Sequence, residues 1–400
     1  MLTAPSVDWS DFLGRGPIDA GAELAESAVS GRSVLITGGG GSIGAGLAEA
    51  VLAGSPRSLI LLDLSEGALY EICRRIPAMQ CSSSAEIVPI TGSVGDVRLL
   101  HHLLKRHRPE IIFHAAAYKH VPLMEQNPFS AIANNSIGTH RLVAAAVDAG
   151  VDRLVFVSTD KAVSPASVMG VSKRIAELVV LSHSVDQEQG GGGRMNVVRL
   201  CNVLGSSGSV AAVFQEQAEQ GLPLAVTHAE AKRYFLAPAE ARRAILRAAV
   251  SPKWGRVLTP ECGEEFRIVD LARFIATRCG VVGDVAMEFT GLRPGDKLHE
   301  ELWSSDETVE AVIADGMRVI KSPTPGVGEL SLAMQRLEAA VENFDHAELK
   351  TAIAELVPGC RGRSEGRSLS TKVGETAGPS AAPLRHSAQD DNLVDSVVVE

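Results

Sequence analysis

Nothing in this 400-residue sequence approaches 18 consecutive apolar residues, so no segment reads as a membrane-spanning helix. A basic excess is also missing. The formal net charge is −10, and a nucleic-acid partner would need a basic face against its phosphates. The opening stretch, "MLTAPSVDWSDFLGRGP", lacks the basic and apolar regions of a secretory signal. Six cysteines (Cys73, Cys81, Cys201, Cys262, Cys279, Cys360) are scattered without a CxxC pair. That scatter argues against a zinc site or a disulfide framework and for a reducing cytoplasm, with no metal. No internal repeat is visible. What remains is a soluble, cytoplasmic chain whose 45% apolar content can fill one large α/β domain and a smaller one.

From Val34 onward, short β-rich runs alternate with amphipathic stretches. The runs are "VLIT" (34–37), "LILLD" (59–63), "EIVPI" (86–90), "EIIFH" (110–114), "RLVFVS" (153–158) and "NVVRL" (196–200). Helical stretches lie between them at 42–53, 97–106, 130–149 and 168–184. This rhythm predicts an α/β fold, a doubly wound parallel sheet with right-handed crossovers. Residues 1–30 read as a leader with one short helix, "GAELAESAV", and 31–201 as the dinucleotide-binding domain. The mixed elements of 202–305 read as a smaller α/β substrate-binding region. A C-terminal helical segment (306–358, with helices at 329–341 and 346–357) follows, then a disordered tail at 359–400. "QGGGG" at 189–193 reads as a surface loop.

"VLITGGGGSIG" joins the first strand to the first helix, with Gly38, Gly41 and Gly44 in G-x-x-G-x-x-G spacing. One glycine turns the chain, one admits a pyrophosphate and one packs helix on strand; the anion sits at the helix N-terminus, beside Ser42 and Ile43. The second strand ends in Asp63, about 20 residues on, where a carboxylate accepts the adenosine ribose hydroxyls and repels a 2′-phosphate. NAD is therefore favoured over NADP. The competing reading of Asp63 is an exposed strand-end carboxylate. Asp96 and Val97 after the third strand, and Ala115 and Ala116 after the fourth, stand at carboxyl ends where the ligand crevice lies. The fifth strand ends in Ser158-Thr159-Asp160-Lys161, charged groups facing the same crevice.

"TGGGGSIG", "FHAAAYKHVPLMEQNP", "NNSIGTH", "STDKAVSPASVMGVSK", "RLCNVLGSSGSV" and "GLRPGDKLHEEL" occur in that order across residues 30–305. Together they resemble the extended short-chain dehydrogenases/reductases, and within them the polysaccharide-biosynthesis branch of UDP-N-acetylglucosamine 4,6-dehydratases. "DFLGRGP" (11–17) also resembles the segment that precedes the catalytic domain in large members, whose N-terminal membrane helices are missing here. The chain then looks like the soluble catalytic half alone. The resemblance implies NAD-dependent 4,6-dehydration of a UDP-N-acetylhexosamine to a 4-keto-6-deoxy sugar, for surface polysaccharide or glycoconjugate synthesis.

By that resemblance Asp160 is the acid at C6 and Lys161 the base at C5, Thr159 hydrogen-bonds the 4-hydroxyl, and Lys173 holds the nicotinamide ribose. A neutral lysine base requires its pKa to be lowered by burial or a neighbouring cation. Met169 stands where most members place a tyrosine, and a thioether has no proton to exchange. Either the chain belongs to a methionine-bearing subgroup, the reading favoured by the retained Thr159, Asp160, Lys161 and Lys173, or the site is degenerate and only binds nucleotide. Lys119 should reach the cofactor crevice. Asn135, on the helix behind it and ordering its polar groups, and Asn202, Arg233 and Arg293 are assigned to the substrate, Arg293 for its planar phosphate-binding fork and Arg233 as a further basic candidate whose competing reading is a surface charge. Cys201 stands where the family has glycine and reads as a buried core thiol. The rival enzyme is a nucleotide-sugar epimerase, which needs no acid at C6; the non-enzymatic rival is an NAD-binding protein. Helices 130–149 and 168–184 are expected to pair across a two-fold axis in a homodimer or larger assembly.

Overall fold

The protein is seen here as a computed structural model, which describes residues 9–16, 28–79, 84–184, 193–313 and 316–360. The leader helix, the 189–193 loop and the tail lie almost entirely outside these residues.

The predicted runs form parallel strands β1 (Ser33–Thr37), β2 (Ser58–Asp63), β3 (Glu86–Thr91), β4 (Ile111–His114), β5 (Arg153–Thr159) and β6 (Arg194–Leu200). Three further strands, β7 (Val257–Pro260), β8 (Thr308–Ile313) and β9 (Met317–Lys321), complete a nine-stranded sheet of order β8-β9-β7-β6-β5-β4-β1-β2-β3. β1 and β4 are buried at every position, which is why their sequences are unbroken apolar runs rather than alternating ones. The order reverses between β1 and β4, and a ligand crevice opens at such a switch point, outside the carboxyl ends of the strands.

Helices cover both faces. On one lie α1 (Ser42–Ala53) and α2 (Glu66–Met79), which bury Leu47, Val51, Leu69 and Ile72. On the other lie α3 (Val97–His107), α4 (Gly138–Asp148) and α5 (Val168–His183), which bury Leu103, Leu142, Val143, Ile175 and Val179. The smaller region adds α6 (Val210–Glu219), α7 (Pro238–Ala248) and α8 (Ile268–Arg278), and the chain's last described helices are α9 (Val327–Glu342) and α10 (His346–Leu356). α7 packs on the first face through Ala241, Ala244 and Ile245.

Four expectations need correction. β7 pairs in parallel with β6, so the main sheet does not stop at residue 201. The segment 306–358 opens with β8 and β9, an antiparallel pair that extends the sheet beyond β7, before its two helices. Residues 9–16 are no loose leader. Phe12 packs its ring on Phe235, Phe266 and Phe274 at centroid distances of 5.8, 4.9 and 5.3 Å, and Arg15 pairs with the buried Glu240. Finally, the α4–α5 face expected to meet a two-fold partner is in part covered by the same chain. Leu330, Met334 and Leu337 of α9 and Leu349 of α10 share one core with Val171, Ile175 and Val179, and Arg141 reaches Glu338 at 3.2 Å.

One buried ion cluster ties these layers together. Arg199 of β6, 1% exposed, donates to Glu177 of α5 at 2.9 and 2.7 Å and to Glu307, just before β8, at 2.7 and 2.7 Å. Burial opposes ionisation of both glutamates, but the guanidinium overrides it: the Glu177 carboxyl is lowered and Glu307 falls to about 2. Breaking such a set by removing one partner strands charge in the interior. Arg199→Leu is therefore expected to destabilise the fold by about 3–5 kcal/mol, read from urea denaturation midpoints; a loss below about 1 kcal/mol would show the cluster to be peripheral.

Candidate active site

The glycine loop is built by close approach. Gly38 adopts φ +70°, and a Cβ there would lie 2.6 Å from the Ala116 backbone nitrogen. A Cβ on Gly44 would lie 2.0 Å from the Gly38 carbonyl oxygen, so helix α1 can start only against a bare backbone. Gly41 caps α1 with no side-chain acceptor, leaving the N–H groups at Ser42, Ile43 and Gly44 available to an anion. Asp63 ends β2 and accepts from Gly40 N at 2.8 Å and Ser65 N at 2.8 Å, which fixes the loop beside the crevice. These residues fit a dinucleotide. Asp96 instead caps α3, accepting from Arg98 N and Leu99 N at 3.0 and 3.1 Å, and Val97 is the exposed first residue of that helix.

A cavity of about 320 Å³ opens beside the loop, with Ile43, Ala115, Lys119, Thr159, Lys161, Met169, Lys173 and Asn202 in its wall. Asp160 lies directly behind, with no exposed surface, and accepts from Thr159 Oγ1 at 2.9 Å and Lys161 Nζ at 3.0 Å. Lys161 also donates to Asn202 Oδ1 at 3.0 Å. Burial disfavours its ammonium, yet Asp160 and then Glu300, 3.6 Å away, outweigh burial and push the pKa up, against a smaller opposing effect of Arg233. The lowered lysine pKa expected of a base is thus not what this arrangement produces. Lys173 behaves oppositely: burial lowers it to about 7. Its Nζ stands 2.6 Å from the Val157 carbonyl and 4.0 Å from the Phe156 ring centroid. Met169, 3% exposed, joins Met124 and Ala131 in a small apolar cluster on the cavity side of α5.

Three expected substrate residues stand elsewhere. Asn135 sits in a π-helical stretch (Ile132–Ile137), 1% exposed, and donates to the Tyr118 carbonyl at 2.9 Å and Ser172 Oγ at 2.9 Å; it orders the wall without reaching the cavity. Arg233 spends its guanidinium on the carbonyls of Lys232, Lys297 and Leu298 and lies 3.6 Å from Glu300. Arg293 is exposed and pairs with Asp296 in its own turn at 2.9 Å. The expected free Cys201 is joined to Cys262 by a disulfide. The pair is 61 residues apart in sequence, but it follows the adjacent strands β6 and β7, a neighbourhood no CxxC spacing could announce.

Two further residues inside the motifs support the cavity wall. His114 at the end of β4 is fully buried, contacting Thr37 Oγ1 at 2.6 Å and Thr139 Oγ1 at 2.8 Å; burial first, then the Lys173 charge, drives it down to about 3. Ser158 donates to Glu177 at 2.7 Å, which links the catalytic strand to the Arg199 cluster.

Residues 34–322 match the family described as "Polysaccharide biosynthesis protein". The capsular polysaccharide biosynthesis protein CapD of Staphylococcus aureus is 39% identical over 302 residues, 75% of this chain and 50% of CapD. The chain thus spans about half the length of that relative. The inverting UDP-N-acetylglucosamine 4,6-dehydratase of Campylobacter jejuni subsp. jejuni serotype O:23/36 is 29% identical over 283 residues, 70% of this chain and 79% of that enzyme. Among solved structures, a double mutant of the dTDP-glucose 4,6-dehydratase DesIV from Streptomyces venezuelae, with NAD and DAU bound, superposes with a TM-score of 0.60 at 22% identity, covering 79% of this chain and 99% of that one. That last likeness speaks to the fold. Among the described residues no helix is long and apolar enough to cross a membrane, and no group of three or more His, Cys, Asp or Glu could hold a metal.

Two outcomes follow from the buried groups. His114 is held neutral in the fold, so its contribution is intact above pH 6.5 and is lost as pH falls toward 3. Denaturation midpoints of the protein should fall across that window, and His114→Gln should flatten the slope. Cys262→Ser, which opens the 61-residue loop, should lower stability by about 2–4 kcal/mol; equal midpoints for both proteins without reductant would exclude the bond.

Proposed function

Because the chain belongs to the polysaccharide biosynthesis protein family of extended short-chain dehydrogenases/reductases, we propose that it catalyses NAD-dependent 4,6-dehydration of a UDP-N-acetylhexosamine, most simply UDP-N-acetylglucosamine. The product, a UDP-4-keto-6-deoxy sugar, would serve surface polysaccharide or glycoconjugate synthesis. The observation that carries the reading is the Asp160–Lys161 pair, 3.0 Å apart, with Lys161 in the wall of the cavity beside the glycine loop and Asp160 directly behind it. Gly38, Gly41 and Gly44 would hold the pyrophosphate of NAD, Asp63 its adenosine ribose and Lys173 the ribose next to the nicotinamide. When bound, that group supplies the hydride chemistry, removal from C4 and return to C6.

The protons are the chain's task. In the resting site Lys161 is an ammonium and Asp160 a carboxylate, bonded to each other. One proton crossing that 3.0 Å bond produces a neutral amine and a neutral acid together, the two species that elimination requires. Lys161 then takes the C5 proton, made acidic by the adjacent ketone, while Asp160 gives its own to the departing C6 hydroxyl as water. The pair is back in its resting charge state. Lys161 next returns a proton to C5 as C6 is reduced, and the proton released earlier from the 4-hydroxyl restores the ammonium. Thr159, bonded to Asp160 at 2.9 Å, gives that proton a route that avoids Met169. The thioether fills apolar space and keeps water from the keto intermediate.

An epimerase shares the C4 ketone but makes no use of an acid at C6, and Asp160 would then be idle. Incubating the protein with NAD and UDP-N-acetylglucosamine in heavy water and following proton NMR separates the readings. A new 6-methyl signal with deuterium at C5 is expected, and its C5 couplings report retention or inversion. Asp160→Asn and Lys161→Ala should each lower kcat by about 10²–10⁴-fold. Epimerised sugar without a methyl signal would replace the proposal with the isomerase reading.

A further inference from the structure

Within the "GLRPGDKLHEEL" stretch, Glu300 is the buried titratable group nearest Lys161 without a role in the proposed chemistry. It lies in the segment after the Gly295 turn, and its side chain is only 3% exposed. Its Oε1 stands 3.6 Å from Lys161 Nζ and 3.6 Å from Arg233 Nε, while Oε2 is buried with no hydrogen-bond partner. A buried carboxylate oxygen left unpaired is costly, and nothing in the local backbone accounts for it. Lys161 therefore sits between two carboxylates, Asp160 at 3.0 Å and Glu300 at 3.6 Å. Asp160 also has one oxygen, Oδ2, buried and unpaired.

Resting on the proposed dehydration, we propose that Glu300 is a positioning residue for Lys161: its carboxylate, held by Arg233, aims the amine at C5 and sets its basicity. Removing a proton next to a ketone needs a strong base, and a second anion strengthens an amine by stabilising its protonated form. Asp160 cannot do this throughout the cycle, because it is neutral while it waits to protonate the leaving hydroxyl. At that moment Glu300 is the remaining anion beside the amine. Burial raises Glu300 itself and Asp160 adds to the rise, leaving a net upward shift, while Lys161 and Arg233, each 3.6 Å away, favour its anion. The arrangement also gives Arg233 a purpose. Its three bonds to the carbonyls of Lys232, Lys297 and Leu298 lock the segment that carries Glu300. The groups that bear on the lysine are Asp160 in its own turn and Glu300 and Arg233 from the smaller region; Lys119 and Lys173 line the same cavity, and Lys297 bears on Glu300.

The test titrates Lys161 directly and follows turnover separately. Competitive acetylation of the NAD-loaded protein across a pH series, read by mass spectrometry on the peptide containing Lys161, gives the midpoint of that amine. Glu300→Gln should move the midpoint down by about 1–3 pH units and Glu300→Asp by less, with NAD affinity unchanged as the check on folding. With UDP-N-acetylglucosamine, Glu300→Gln should lower kcat at least about tenfold at constant KM and slow deuterium entry at C5, and Glu300→Asp should recover part of both. An unmoved midpoint in Glu300→Gln overturns the proposal, as does a raised KM with unchanged kcat. A midpoint that moves in a protein inert toward the sugar leaves Glu300 in its role and overturns the dehydratase reading instead.

Discussion

The buried guanidinium of Arg199 is the constraint around which the catalytic half is assembled. One planar group on β6 donates to two carboxylates, Glu177 from α5 and Glu307 from the chain entering β8. Helix α5 carries Met169 and Lys173, so its height over the sheet is set by that pair. Glu177 also takes the Ser158 hydroxyl, one residue before Thr159. The end of β5, the face of α5 and the C-terminal strands are consequently positioned by one electrostatic junction. Such a junction is poor at adding net stability, since desolvating the ions consumes much of their attraction, but it tolerates almost no displacement.

Two of the three lysines that line the cavity are treated in opposite ways, and the difference lies in their neighbours. Lys173 is surrounded by the Phe156 ring, the Val157 carbonyl and fully buried strand, with Glu177 too weak to restore its charge, so it sits near neutrality. Lys161 has carboxylates on two sides and stays charged. A cavity holding one readily discharged amine and one firmly charged amine can separate ribose binding from proton transfer. His114, kept neutral beneath Lys173, avoids adding a third positive charge there.

The first six strands were legible to within two residues, because strands buried on both faces must be short and largely apolar and the helices between them must be amphipathic. The runs at 34–37, 59–63 and 153–158 became β1, β2 and β5 with a change of no more than one residue at either end. Gly38, Gly44 and Asp63 were legible for a similar reason: their constraints are local, a turn and a close approach within one strand-to-helix joint. What escaped was anything settled by tertiary proximity. Arg233 and Arg293 were assigned to phosphate by residue type, yet each is held by groups of its own region. Glu177 and Glu307 carry no motif, Glu300 lies in one that does not announce its partners, and the Cys201–Cys262 pair depends on β6 and β7 lying side by side. β8 and β9 were hidden within a segment read as helical, since an edge pair outside the regular βα alternation has no rhythm to betray it.

The cover that α9 and α10 place over the α4–α5 face has a consequence for how the molecule responds to dilution. A surface of that kind, closed by a second subunit, opens and shuts with protein concentration. Here the covering helices are tethered to the face through β9, so their effective concentration is fixed by the chain and is insensitive to how many copies are present. The cover over Val171, Ile175 and Val179 is thereby supplied by the chain itself, whatever the protein concentration.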